Sequence, residues 1–497
     1  RCAELCGDSA LAVTSLRELA TRSPRAGVHR RLALQYELLG HWPAALAARE
    51  AAAQAYAQMG LPGEAAVERL AVAAHLRSAA SFRAALDLLD SAEADAGVAA
   101  RVDLTCRIGG LRGNVLARMG RAAEGVPMVR SSLELALRHG LSAPAAEIYQ
   151  RLADSLEHGG DYRAAARAYD LAYDFCQTHD LGATGQLCRA CATVVMFHSG
   201  RWDRAAALCS DVLGDAAATA HARTVAAGVL GLVHAMRGQA TLARPALLDC
   251  RTSARRIDLA AMEILAAWGL ALVDEANGHP DRAMEGYRHV LRRCQETEER
   301  HYCVPVLQFA VACFAAGGAD ADLGAATALL ADAAARTGQP EAGAVFAYAL
   351  GESAFATGGS GDGAAVAHLR RAIELLDGMH LPIVDVVVRH RLGVALAGSD
   401  EGRNAVREAY STARRLRARL LVDRISVDLN GSPAAVENLL TERELQVMRL
   451  VGEGLTSRAI GSQLFLSVRT VEMHARNAMA KLGCRTRAEA ARRLATP

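Results

Sequence analysis

The sequence predicts an all-α chain: an α-solenoid of about ten helical hairpins that ends in a small four-helix module. Three observations predict it. The apolar content is 52%, yet aromatic residues make up only 4%. It rests largely on Ala and Leu, which favour helices, and aromatic or β-branched runs are scarce. Glycine recurs at a spacing of 38 to 40 residues along most of the chain. The final segment carries a dense set of helix-capping signals and an excess of basic residues.

The beat comes first. Gly40, Gly120, Gly160, Gly200, Gly238, Gly278, Gly318, Gly358 and Gly398 keep the interval with one doubled step, and Ala80 stands in the gap. Other residues move with the glycine. Before Gly160 come Leu152, Ala153 and Leu156; after it come Tyr162, Ala165, Tyr169 and Ala172. Around Gly40 and Gly200 the same offsets hold Leu32, Ala33, Tyr36, Trp42 and Ala45, then Ala192, Thr193, Met196, Trp202, Ala205 and Cys209. Residues at −8, −7 and −4 share one helix face, and those at +5, +9 and +12 share a face of the next. Glycine at the junction supplies the left-handed turn that ends the first helix. Small residues at −7 and +5 let the two helices approach, and an aromatic at +2 packs over the turn. A single hairpin cannot bury its apolar face alone, so neighbours stack. The turns Gly317–Asp322 and Gly358–Gly363 blur the spacing.

This pattern resembles the tetratricopeptide repeat over roughly residues 30–420. The usual period of that repeat is 34, so a beat near 40 implies longer helices. The resemblance implies a binding surface, in the form of a long concave face for a peptide, a protein or a small molecule.

Asn430-Gly431-Ser432-Pro433 then breaks the helical pattern. The predicted domains are residues 1–424 for the repeats, 425–438 for a linker and 439–497 for the terminal module. In that module Thr441-Glu442-Arg443-Glu444 is a capping box. It opens a helix with Val447, Met448 and Val451 inward, closing at Gly452–Gly454. Thr456 caps a short second helix with Ile460 and Leu464, and Ser467 caps a third that runs to Leu482 before Gly483. Thr486-Arg487-Ala488-Glu489 is a second capping box and opens a fourth helix.

The third helix has two faces. Val471, Ala475, Ala478 and Leu482 form an inward stripe; Arg469, Glu472, Met473, Arg476 and Ala480 lie opposite. A helix face of this kind fits the DNA major groove. Arg476 suits guanine, Glu472 accepts from cytosine, and Met473 meets a thymine methyl. Arg458, Ser467, Arg469, Thr470 and Lys481 sit near helix ends, where phosphates are held. Charge agrees: residues 439–497 hold ten Lys and Arg against five Asp and Glu, a net of +5, while the rest of the chain nets −3.

Leu440-Thr441-Glu442-Arg443-Glu444, Gly454-Leu455-Thr456, Ile460, Leu464, Ser467, Arg469-Thr470-Val471-Glu472-Met473-His474 and Lys481-Leu482-Gly483 resemble the LuxR-type helix-turn-helix domain over residues 439–494. The resemblance implies that Glu472, Met473 and Arg476 face bases, and that Thr470 and Lys481 lie at the DNA backbone. It implies that residues 486–494 pair two domains on a two-fold site, and that RNA polymerase is a partner. Ala459 stands where that family often has Glu, and Gly461 where Ala is usual. Acidic Glu472 is expected to lower general affinity while sharpening base choice. Repeats followed by this domain resemble the C-terminal part of the large ATP-binding, MalT-like LuxR regulators. In that group a nucleotide-hydrolysing domain precedes repeats that sense an inducer. The chain starts at Arg1, and either a longer gene product or loss of that first domain accounts for the two parts present.

Lys481 is the one lysine, so no phosphate-cradling loop exists here and no nucleotide hydrolysis is expected. Cys188 and Cys191 have metal-pair spacing, with Cys176, His179 and His198 near, but their register reads as buried helix cysteine. No catalytic arrangement stands out, so neither an enzyme nor a cofactor is expected. The apolar stretch Ile264–Val273 is too short to span a bilayer. A cytoplasmic protein is expected, with double-stranded DNA as one partner and an unknown inducer or protein on the repeats as another. The seven Arg of residues 403–424 read as a solvated helix face, with electrostatic help to DNA binding as the alternative. The competing reading of the whole is an interaction scaffold whose terminal module serves dimerisation.

Overall fold

The computed structural model describes residues 6–23, 25–358, 363–430 and 440–482, with Cys484, Thr486, Arg487, Glu489 and Ala490. Among them lie twenty-five helices and no strand. Twenty-two helices precede residue 431, enough for eleven pairs where about ten were expected. The chain divides into two compact units: Arg1–Ala235 with Gln239–Phe346, and Met236–Gly238 with Ala347–Pro497. Helix Arg419–Asn430 runs through the first part of the stretch assigned to the linker. Residues 431–439, including most of the Asn430–Pro433 break, lie outside the described residues, as does the Gly358–Gly363 turn between 359 and 362.

The first unit keeps strict time. Eight successive helices from Trp42–Gln58 to Gly182–His198 each contain 17 residues. This is the added length that the 40-residue beat implied. The helix before them ends at left-handed Gly40, and each of the eight is followed by a left-handed residue 20 positions further on, at Gly60, Ala80, Ala100, Gly120, Gly140, Gly160, Asp180 and Gly200. The amide after each one closes the same bond: Leu61 to the Tyr56 carbonyl (2.9 Å), Arg121 to Leu116 (2.9 Å), Arg201 to Met196 (2.8 Å). That repeated bond satisfies carbonyls left open at a helix end. Ala80 holds φ 56°, so it occupies the backbone conformation of the glycine it replaces.

Small residues at −7 and +5 do what their register requires. A Cβ on Gly125 would lie 2.2 Å from the Gly113 carbonyl oxygen, and one on Gly113 would lie 2.6 Å from that of Gly125. The two helices touch backbone to backbone there. The +2 aromatics divide. Trp202 donates to the Phe197 carbonyl of its own turn (2.9 Å). Trp42 instead donates to the Arg256 carbonyl, 214 residues on (2.7 Å), and the Tyr162 hydroxyl donates to Glu341 (2.5 Å).

Those long-range bonds belong to one seam, where early turns of this unit meet later ones. His75 pairs with Asp258 (2.9 Å). The Glu298 amide donates to the Ala80 carbonyl (2.9 Å) and the Arg83 amide to the Glu298 carboxylate (2.8 Å). A Cβ on Gly120 would lie 2.8 Å from the Arg336 carbonyl oxygen. Tyr302 donates to Glu157 (2.8 Å), and Gln339 to the His158 carbonyl.

The inner face behind the seam is filled by its own polar side chains. Asp154, buried, accepts from Arg118 and from Asn114 (2.6 Å), and Arg77 donates to Asn114 (2.9 Å). The His158 and His301 rings lie 4.5 Å apart, with Tyr302 edge-on to both. A cavity of about 40 Å³ remains beside Arg77, Arg118, Asp154, His221 and Tyr302. The open concave face expected of a repeat array is therefore closed here, because the unit coils back onto itself. Cys188 and Cys209 are buried, as their register indicated, with Cys176 buried as well, whereas Cys191 is only half-buried. Among the described residues no helix is long and apolar enough to cross a membrane.

Candidate nucleic-acid interface

The terminal module is built from local signals. Thr441 accepts from the Glu444 amide (3.2 Å), and the Glu444 carboxylate accepts from the Thr441 amide (2.8 Å). This complete capping box opens helix Glu442–Gly452. Thr456 accepts from the Ala459 amide (3.3 Å) at the start of Ser457–Leu464. With Ala at 459, no carboxylate returns the bond. That helix stops at Phe465, a left-handed residue with φ 55° and a side chain 96% exposed. Gly461 has a spatial reason: a Cβ there would lie 2.7 Å from the Leu466 carbonyl oxygen. The turn is tight enough to exclude even alanine without adjustment.

Helix Val468–Leu482 follows, with Ser467 accepting from the Thr470 amide (3.1 Å) and sharing a hydroxyl bond with Thr470 (2.7 Å). Val471, Ala475, Ala478 and Leu482 are buried against the module's core, with Val447, Met448 and Ile460. The opposite stripe is open: Glu472, Arg476 and Ala480 are exposed, and Met473 is 49% exposed. Arg458, Ser467 and Arg469 are exposed as well, and Thr470 is half-buried. The predicted base-facing residues thus share one surface, and the predicted backbone-facing ones lie at the starts of its two helices. Lys481 stands apart. Its ammonium is paired with the buried Glu444 carboxylate (2.5 Å), so a phosphate there must compete with that anion.

The fourth helix is described only at its start. Thr486 accepts from the Glu489 amide (3.1 Å), Arg487 donates to Ser457 (2.7 Å) and Ala490 is buried. Residues 491–497 lie outside the described residues.

The sequence reading missed a set of contacts within the second unit. Helix Asp400–Arg415 turns three side chains onto main-chain carbonyls of the module. Arg407 donates to Leu440 (3.3 Å), Tyr410 to Lys481 (2.7 Å) and Arg414 to Ala480 (3.0 Å). The only available signal was the Arg-rich run itself. Other members of that run keep to solvent, as Arg403 does with Asp400 and Arg419 with Asp423.

The sequence pattern of the family "Bacterial regulatory proteins, luxR family" matches residues 438–494. The chain is 39% identical over 62 residues to the transcriptional regulatory protein LiaR of Bacillus subtilis, 12% of this chain and 29% of LiaR. It is 46% identical over 52 residues to the spore germination protein GerE of the same organism, 10% of this chain and 70% of GerE. A nitrate/nitrite response regulator homolog of Haemophilus influenzae is 43% identical over 51 residues, 10% of this chain and 24% of that protein. The chain thus spans under a third of two of these relatives, and the match covers only its terminal module. Among solved structures, a Rap protein complexed with Competence and Sporulation Factor covers 73% of this chain at 14% identity, with a TM-score of 0.47 and 99% of its own chain matched. The Cut9–Hcn1 hetero-tetramer of APC/C covers 99% at 12% identity and a TM-score of 0.33, with 94% of its own chain matched.

Proposed function

Because this chain belongs to the luxR family of bacterial regulatory proteins, we propose that it regulates transcription by sequence-specific major-groove binding, under control of its helical array. The observation that carries this is the open stripe of Glu472, Met473 and Arg476 on a helix whose other stripe is buried. In the proposed complex these three read base edges. Arg458, Ser467, Arg469 and Thr470 hold phosphates, with Lys481 available only at the expense of its Glu444 pair. Two modules pair through residues 486–494, RNA polymerase is the downstream partner, and the protein acts in the cytoplasm without catalysis of its own. The closed seam is where a signal on the array would act: an inducer or protein that opens it exposes buried polar groups for new partners.

Binding of the full chain to duplexes selected from a random-sequence pool tests the reading. Arg476→Ala should cost about 1–3 kcal/mol on the selected sequence and relax preference at one position. Affinity should also fall steeply with salt, as phosphate contacts require. Absence of DNA affinity at low salt favours the scaffold reading, and release of phosphate from a nucleotide by the chain would contradict the absence of catalysis.

A further inference from the structure

The C-terminal end of a helix presents open carbonyls and a partial negative charge, and both repel phosphate. At the end of Val468–Leu482 the natural counter-charge is Lys481, and its ammonium is paired with Glu444. The carbonyls are covered from outside the module instead. Arg414 donates to Ala480 (3.0 Å) and Tyr410 to Lys481 (2.7 Å), both from helix Asp400–Arg415, with the Arg414 guanidinium 6.0 Å from the Tyr410 ring centroid. Ala480 lies on the exposed stripe, four residues beyond Arg476, and Arg414 is itself exposed. Arg414, bonded to the Ala480 carbonyl, therefore stands at the far end of the stripe that holds Arg469, Glu472, Met473 and Arg476.

We propose that Arg414, on the repeat-side helix, completes the DNA interface by contacting a phosphate beyond the C-terminal end of the reading helix. The inference rests on the reading of Val468–Leu482 as that helix. Its consequence is that the last long repeat helix and the terminal module bind DNA as one surface. The Tyr410 and Arg407 bonds to the module hold that surface together.

The test uses the full chain and a labelled duplex selected by that chain from a random pool. Failure to select any sequence refutes the proposed function; once a sequence is selected, the salt dependence of that complex decides the present point. Each phosphate contact contributes about 0.9 to the slope of log affinity against log salt. Arg414→Ala should lower that slope by about one and weaken binding several-fold, without changing the selected sequence. Arg414→Lys should keep the slope, and Tyr410→Phe, which loosens the same dock without removing a charge, should keep it too. An unchanged slope in Arg414→Ala, or an equal fall in Tyr410→Phe, overturns the proposal: Arg414 would then only hold the module.

Discussion

Phe465 pays for its place in the turn between the second and third helices of the module. Its φ of 55° is a glycine conformation, and its ring is almost wholly in solvent, where it gains nothing from burial. Phe465→Gly should therefore stabilise the module by about 0.5–1 kcal/mol, read as a rise in melting temperature with base preference intact. Glu444 is the opposite case. It caps the first helix and pairs with Lys481 from a buried position, so Glu444→Ala should destabilise by about 1–3 kcal/mol in denaturant melts. Residue roles were legible where they are local. The caps at Thr441, Thr456 and Ser467 depend on neighbours three positions away. The Lys481–Glu444 pair joins residues 37 apart, and the Arg414 bond joins residues 66 apart. No spacing rule carries those, so the Arg-rich run looked like a solvated face.

At the scale of elements, close helix contact sets the strictest demand. Gly113 and Gly125 meet through their backbones, so Gly125→Ala should force the pair apart at a cost of about 1–3 kcal/mol or more, measurable as a lower melting temperature. Glycine-to-alanine at Gly140, where a Cβ meets nothing, carries only the backbone cost of its left-handed φ of 64°. The 40-residue hairpin was legible because glycine marks most of its inner turns. The underlying 20-residue beat was not, since several intervening turns use Ala100, Asp180, Asp258 or Arg417 in the same left-handed conformation. Composition hides a period that the backbone keeps.

At the scale of the molecule, the first unit hides a charged and imidazole-rich interior, and this dictates its response to pH. Burial, with Arg118 beside it, pushes His158 down to about 4; burial brings His198 to about 4, and burial with Arg77 and Arg118 brings His221 to about 4. His301 is pushed well below its ordinary value by burial and by His158 and His198. Burial, reinforced by Asp154, raises Glu157 to about 8, and burial raises Glu341 to about 7. The histidines charge near 6.5 when unfolded but resist protonation when folded, so stability falls as pH drops from about 6.5 toward 4. Glu157 and Glu341 keep protons when folded that the unfolded chain loses near 4.5, so they cost stability as pH rises toward 8. Four histidines outnumber two carboxyls below pH 6.5, and the carboxyls act alone above it. The melting temperature should peak near pH 6.5, and a monotonic profile would contradict the closed interior. This closure was beyond the sequence, because the seam joins Trp42 to Arg256 and Ala80 to Glu298 through repeats that carry no mark of their distant partners.

In the proposed complex one face of helix Val468–Leu482 reads DNA. The most direct measurement is selection of duplexes from a random pool by the full chain and by Arg476→Ala, followed by affinity titrations on the winning sequence. The unaltered chain should select a defined consensus, with degeneracy at one base position and about 1–3 kcal/mol of lost affinity in the variant. An unchanged consensus and affinity in Arg476→Ala would contradict it.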